Sequence, residues 1–317
     1  MNKLNTRKWW SVAVTLIVLA LALAACGTPA APKPTIKLAA NPWDGSKVNV
    51  TVAKILLEKQ LGYTVEIVDI DENAQFPALA SGDLTSTLEI WPSGHAKDRA
   101  DYIDTGKVED VGQLGVVGKI SWYVPKYVVD AHPELATWEG YKNPDDAKLF
   151  ATAETGDQGQ FLGGDPSFVQ YDEQIITNLG LNFKVVYAGS EQAILAALDS
   201  AYSRQEPILF YFWTPHAIHA KYDLVAVKLP DYSADCYAGA PDSVACDYPA
   251  DVLYKAANPN LKTTAPDAYQ FLKNMSYTTA DQISMLAAIA DGKTVDEAAQ
   301  AWVDANEAVW SKWLPAK

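Results

Sequence analysis

Pro207-Ile-Leu-Phe-Tyr-Phe-Trp-Thr-Pro-His216 is the stretch on which the reading of this chain turns. It begins as a continuous apolar, aromatic run, the pattern of a strand buried on both faces. The run stops at Trp213, because Pro215 lacks an N–H and cannot continue a central strand. A large aromatic left at the end of a buried strand is placed to face a cleft.

The same ending occurs upstream. Residues 84–90 predict a strand that closes on Trp91, and a proline and a histidine follow, as they do after Trp213. Before Trp91 the pattern predicts a strand at 35–39, a helix at 46–60, a strand at 64–68 and a short helix at 74–80. The helix at 46–60 carries Val48, Val52, Ile55 and Leu56 on one face. Residues 69–73 predict a polar, solvated loop. Before Trp213 it predicts a strand at 148–153, a long Gly-rich loop at 155–167, a helix at 171–179, a strand at 182–187 and an amphipathic helix at 190–203. Each set reads βαβαβ, which requires parallel strands with right-handed crossovers. Residues 116–124, with Trp122 among them, predict a strand crossing from the first unit to the second, and 224–229 the return. The C-terminal part is helical. Thr279-Ala-Asp-Gln282 and Thr294-Val-Asp-Glu297 both fit capping boxes. In the last helix Trp302 and Trp313 fall on one apolar stripe and belong to the core.

The bulk numbers fit two α/β domains. The chain has 317 residues, 49% of them hydrophobic, and a formal charge of −14. That acidity argues against nucleic acid, which needs a basic footprint. The N-terminus reads as a targeting segment: Lys3, Arg7 and Lys8 precede a small, apolar run that ends Leu23-Ala24-Ala25-Cys26. This ending resembles a bacterial lipobox, which implies a signal peptide at 1–25, lipid on Cys26 and a tether at 26–34. The run is short for a bilayer span of about 20 residues. Outside the cytoplasm Cys236 and Cys246, ten positions apart, are expected to pair.

In open parallel sheets ligands bind beyond the carboxyl ends of the strands. That rule selects Trp43-Asp-Gly45, Trp91-Pro-Ser-Gly-His95, the Gly-rich loop as far as Phe168, and Trp213-Thr-Pro-His216. Aromatics at these edges are what a cage for a quaternary ammonium needs. Such a cation has no N–H to donate, whereas each desolvated ring face is worth about 2 kcal/mol to it. Three faces supply ~6 of the ~8 kcal/mol that micromolar binding requires. A ligand carboxylate would need donors, for which His95 and the backbone N–H groups of Val169 and Gln170 at a helix entry are the candidates. Catalytic readings have less to stand on. There is no Gly-x-Ser-x-Gly, and Gly292-Lys-Thr294 lacks the leading glycine of a phosphate loop, since position 287 is Ala287. His216 and His219 have no evident third metal ligand.

Six segments in order resemble the glycine betaine/proline betaine/choline-type substrate-binding proteins of ABC importers. They are Leu56-Leu-Glu-Lys-Gln-Leu-Gly-Tyr-Thr-Val-Glu66, Ala78-Leu-Ala-Ser-Gly-Asp83, Leu88-Glu-Ile-Trp91, Trp122-Tyr-Val-Pro125, Tyr211-Phe-Trp-Thr-Pro215 and Ala298-Ala-Gln-Ala-Trp302. The resemblance implies a two-lobed, type II periplasmic-binding-protein-like α/β fold. Each lobe would be a βαβαβ-based sheet and two crossing strands the hinge. Lobe 1 would be 35–118 plus 226–317, and lobe 2 would be 119–225. It further implies a monomer without cofactor or metal, a membrane permease as partner, and an aromatic box around a trimethylammonium group. Trp91 and Trp213 match two box positions, and His95 matches a histidine that binds the ligand carboxylate in some members. Phe168 stands where the pattern has a third tryptophan, which leaves Trp43, Trp122 and Phe168 as candidates for the remaining wall. Two rival readings stay open at this point. One is a receptor for another zwitterion or an amino acid. The other is an exported enzyme with Glu89 and Asp44 as its acids.

Overall fold

Parallel strands need long crossovers, and the segments between the strands here are long enough to be helices. The computed structural model describes residues 32–316, so the leader and Cys26 lie outside the described residues. Strands β1 (Ile36–Ala40), β2 (Val65–Asp69) and β3 (Ser86–Ile90) are joined by helices α1 (Asp44–Leu61) and α2 (Glu72–Ser81). They pair in parallel in the order β2-β1-β3. After the long strand β4 (Glu109–Pro125) the arrangement repeats. Strands β5 (Gly159–Gly163), β6 (Phe183–Tyr187) and β7 (Leu209–Thr214) alternate with α3 (Asp172–Leu179) and α4 (Glu191–Arg204). They pair in parallel as β6-β5-β7. Strands β8 (Leu224–Ala226) and β9 (Ala250–Ala257) complete one sheet, ordered β2-β1-β3-β9-β4-β7-β5-β6 with β8 on β4. From Thr35 on, the described chain forms one compact unit.

Two sequence expectations are corrected. The strand expected at 148–153 is a 3-10 turn, Lys148–Phe150, and the strand lies at Gly159–Gly163, inside the supposed Gly-rich loop. The glycines are strand residues because β6 leaves no room beside them. A Cβ on Gly159 would come within 2.4 Å of the Phe183 ring, and one on Gly163 within 2.9 Å of Val185. The second correction concerns the return strand. β8 pairs only with Tyr123–Pro125 of β4, because the chain turns away when the Lys228 amide bonds the Ala136 carbonyl. The return to the first triplet is made by β9, which is antiparallel to both β3 and β4.

Local chemistry fixes the helices. α1 ends at Gly62, whose φ of 65° is the left-handed cap that glycine adopts without strain. Its first half is buried nearly all round, and it packs on the C-terminal helices. Those are α5 (Pro266–Asn274), α6 (Thr279–Ala290) and α7 (Val295–Ala305). α6 and α7 both start in capping boxes, Thr294 with Glu297 as expected, and Thr278 with Asp281 one residue earlier than expected. Such caps are worth about 1 kcal/mol each. Trp302 and Trp313 are buried and stacked, with centroids 5.8 Å apart. Trp310 is buried too, its indole N–H donating to the Val303 carbonyl. Cys236 and Cys246 are disulfide-bonded.

Candidate ligand-binding site

The carboxyl ends of β1, β3, β5 and β7 converge, and each delivers an aromatic ring. Trp43 is the N-cap residue of α1, just after β1, and Trp91 follows β3 directly. Phe168 lies on the loop after β5, and Trp213 is the penultimate residue of β7. These four rings, with Ile120 and Tyr211, line a cavity of about 30 Å³. A space of that size is smaller than even a compact head group, which enters only if the walls part. Phe168 joins the two triplets. Its ring meets Trp43 edge-on at 5.5 Å and Trp213 edge-on at 6.0 Å. Behind it Trp213 stacks on Phe212 at 4.3 Å, and the Trp213 carbonyl is bonded to His219 at 3.0 Å.

Glycines clear the space these rings occupy. A Cβ on Gly118 of β4 would stand 2.3 Å from the Trp91 ring, and one on Gly164 would stand 2.9 Å from Phe168. Such distances are below van der Waals contact, so the small residues are what allow the backbone to approach.

A buried carboxylate orients two of the tryptophans. Glu89 Oε1 accepts from the indole N–H groups of Trp43 at 2.6 Å and Trp91 at 3.1 Å. Its Oε2 accepts from Asn49 at 2.5 Å and from Gln282 on α6 at 3.1 Å. Burial pushes the Glu89 carboxyl up, and the four donors pull it back only part of the way, leaving it at about 7. The second triplet has a counterpart. Buried Asp172 accepts from Trp122 at 2.6 Å and Tyr248 at 3.0 Å, and burial likewise lifts it to about 7.

Polar contacts tie the two triplets together at the cavity rim. Glu72, first residue of α2, accepts the Val169 amide N–H with Oε1. Glu191, first residue of α4, accepts the Asp44 amide N–H at 2.9 Å. Each of these acids is also held by a histidine: His95 Nε2 is 3.0 Å from Glu72, and His216 Nε2 is 2.8 Å from Glu191. His216 Nδ1 takes the Ile218 amide N–H, so Nε2 carries the proton and donates. Burial alone would lower His95, but Asp98 and Glu72 on its two ring nitrogens outweigh burial and raise it to about 9.

Residues 34–305 match the family described as the OpuAC substrate-binding domain of ABC-type glycine betaine transport systems. The chain belongs to this family. Among relatives of the OpuAC domain, a trimethylamine N-oxide-binding protein of Pelagibacter ubique (strain HTCC1062) is 28% identical, covering 96% of this chain and 98% of that protein. The glycine betaine/proline betaine-binding periplasmic protein of Escherichia coli (strain K12) is 24% identical, covering 90% and 92%. The fold is that of type II periplasmic binding proteins. Lactococcal OpuAC in its closed form with glycine betaine superposes with a TM-score of 0.69 at 21% identity, covering 89% of this chain and all of that one. A choline-binding protein of an ABC transporter, in complex with choline, gives 0.69 at 21% identity, covering 89% and 93%.

The structure brings Trp43, Trp91, Phe168, Val169 and Trp213 together around the cavity of this OpuAC domain. Trp122 is elsewhere. It is fully buried in the core, packed on Phe161 at 4.7 Å with its indole N–H on Asp172. His95 does not line the cavity, because Glu72 and Asp98 take both ring nitrogens. The Val169 N–H is taken by Glu72, and the Gln170 side chain folds back to Gly164 and Asp165. Glu72, read as part of a solvated loop, is instead buried and lines the cavity. Tyr211 and Ile120 were also missed. The alternation of β4 and β7 around Trp122 and Trp213 was the signal for both.

Proposed function

We propose that this chain is the extracytoplasmic solute receptor of an ABC importer. It binds a quaternary-ammonium compatible solute, such as glycine betaine or choline, and delivers it to a membrane permease. The observation that carries the proposal is the cavity walled by Trp43, Trp91, Phe168 and Trp213, supplied by the strand ends of two parallel triplets. Ring faces in a desolvated site attract a trimethylammonium group, which has no N–H for acceptors to hold. Family membership supports the permease as partner. A non-enzymatic role accords with the relatives, which are binding proteins.

Several parts of this reading rest on the sequence. The two lobes are 35–118 plus 226–317 and 119–225, closing on each other about the ligand. The chain acts as a monomer, held to the membrane by lipid on Cys26 after removal of 1–25 and tethered by 26–34. Among the described residues no helix is long and apolar enough to cross a membrane. Tryptophan fluorescence and calorimetry with glycine betaine, choline, proline betaine and trimethylamine N-oxide test the ligand class. Folded protein that answers none of them refutes it.

A further inference from the structure

We infer that Glu72 and Glu191 form a matched pair of clasps, each reaching from its own triplet to a cage loop of the other, and that the two open and close as one. They are positioning residues, because they hold the ring-bearing loops together. The inference rests on the two-lobe reading and names what keeps the lobes shut.

The two contacts correspond element by element. Glu72 opens α2, the second helix of the first triplet, and accepts the amide N–H of Val169, which follows Phe168 in the second. Glu191 opens α4, the second helix of the second triplet, and accepts the amide N–H of Asp44, which follows Trp43 in the first, at 2.9 Å. The residue after each acid adds a bond to the same loop. Asn73 donates to the Ser167 carbonyl at 3.2 Å, and Gln192 to the Asp44 carboxylate at 3.5 Å. The histidine that holds each acid comes from the acid's own triplet, just past its strand-end tryptophan: His95 after Trp91, and His216 after Trp213. Each clasp therefore has a fixed side, acid with histidine, and a far side that is a backbone N–H.

Both acids are buried, and an amide bonded to a carboxylate away from water is a strong contact. Val169 and Asp44 each adjoin one of two rings that meet edge-on, Phe168 and Trp43, so parting those rings draws both amides off their acids. The cavity is smaller than a head group, so the rings must part whenever a solute enters or leaves. Glu191 does not line the cavity, and a change there reaches a solute only through the clasp. Glu191→Gln is a clean lesion. His216 Nδ1 takes the Ile218 N–H, so Nε2 must donate, and glutamine has one oxygen for two donors that now have an oxygen each.

The experiment follows hydrogen exchange of individual amides in the ligand-free mature chain by NMR. Glu191→Gln is expected to speed exchange about tenfold at Val169, the amide of the other clasp, while amides of the β1–β2 and β5–β6 pairs keep their rates. Should that variant not fold, the surface variant Asn73→Ala decides from the other side, by speeding exchange about threefold at Asp44. Acceleration confined to the near amide, or an equal rise in the strand amides, overturns the inference and leaves the two-lobe reading intact. Exchange at Asp44 and Val169 as slow as in the strands, in wild type and variant alike, shows that the triplets do not part, and both readings fall. Stopped-flow fluorescence with glycine betaine gives a second readout. Glu191→Gln should raise the off-rate about tenfold and leave the on-rate within about twofold, and an unchanged off-rate overturns the inference. A protein that binds no ammonium solute removes the ligand reading alone, and the exchange rates still judge the clasps.

Discussion

Glu89→Gln separates what the buried carboxylate does by its shape from what it does by its charge. The folded protein holds this carboxyl at about 7, against an ordinary 4.5. Folding therefore favours its protonated form. Between those two values the folded chain binds more protons than the unfolded one, so this group lowers stability as pH rises from 4.5 to 7. The cost is fully present above 7 and amounts to about 3 kcal/mol. Glutamine keeps one carbonyl oxygen for the two indole N–H groups, and the amides of Asn49 and Gln282 can turn to meet its NH₂. At pH 4.5 the variant should be less stable than wild type by roughly 1–2 kcal/mol, the value of imperfect hydrogen bonds. At pH 8 it should equal or exceed wild type. Urea unfolding of both proteins at pH 4.5, 6 and 8 reads the difference directly, and any contribution from Asp172 cancels between them. A stability difference that stays constant across this range refutes the assigned role of charge. A bound cation favours the ionised carboxylate behind its rings, so affinity for choline in wild type should rise with pH through about 7, and the glutamine variant should lose that rise.

Four further outcomes follow from the geometry. Trp213→Ala should weaken ligand binding about 30-fold, the value of one desolvated ring face, and titration of intrinsic fluorescence measures it. Trp302→Ala should leave affinity unchanged while lowering stability by about 3–5 kcal/mol in urea, because Trp302 serves the core of α6 and α7. Gly118→Ala should displace the Trp91 ring and reduce affinity roughly tenfold, which calorimetry would detect; unchanged affinity would show that the ring is not seated there. Reducing Cys236–Cys246 should cost about 3 kcal/mol at most, seen as a lower unfolding midpoint in dithiothreitol.

Sequence patterns revealed whatever is periodic or local. β7 reads as a buried strand because its apolar run is unbroken, and its end is marked by Pro215. The doubled βαβαβ order was visible for the same reason. Strand β5 was not, because Gly159 and Gly163 answer to rings 20 or more residues away, and a glycine alone reads as a loop. Trp122 and Trp91 look alike in sequence. Only the register of β4 with β7, which pairs Trp122 with Tyr211, puts one ring in the core and leaves the other at the strand end. Glu72 follows the exposed acids Asp69 and Asp71, and nothing near it in sequence announces that Val169 and His95 come to meet it. Glu89 was legible as an acid within a strand and as a candidate for the enzyme reading, though not as the acceptor shared by two cage walls.

Strand β4 has one property that bears on how such a receptor works. Gly118 carries the ring of Trp91 against its backbone. The next residue, Lys119, is paired at once with Ala250 of β9 and with Thr214 of β7, the neighbour of Trp213. Just before it the register with β9 slips twice, at 110–112 and 113–117, around Gly112 and Gly115, both with positive φ. The irregular segment of the strand thus ends where both tryptophans are anchored. A change of curvature there would move the two rings together, which ties the spacing of the cage walls to the geometry of a single strand.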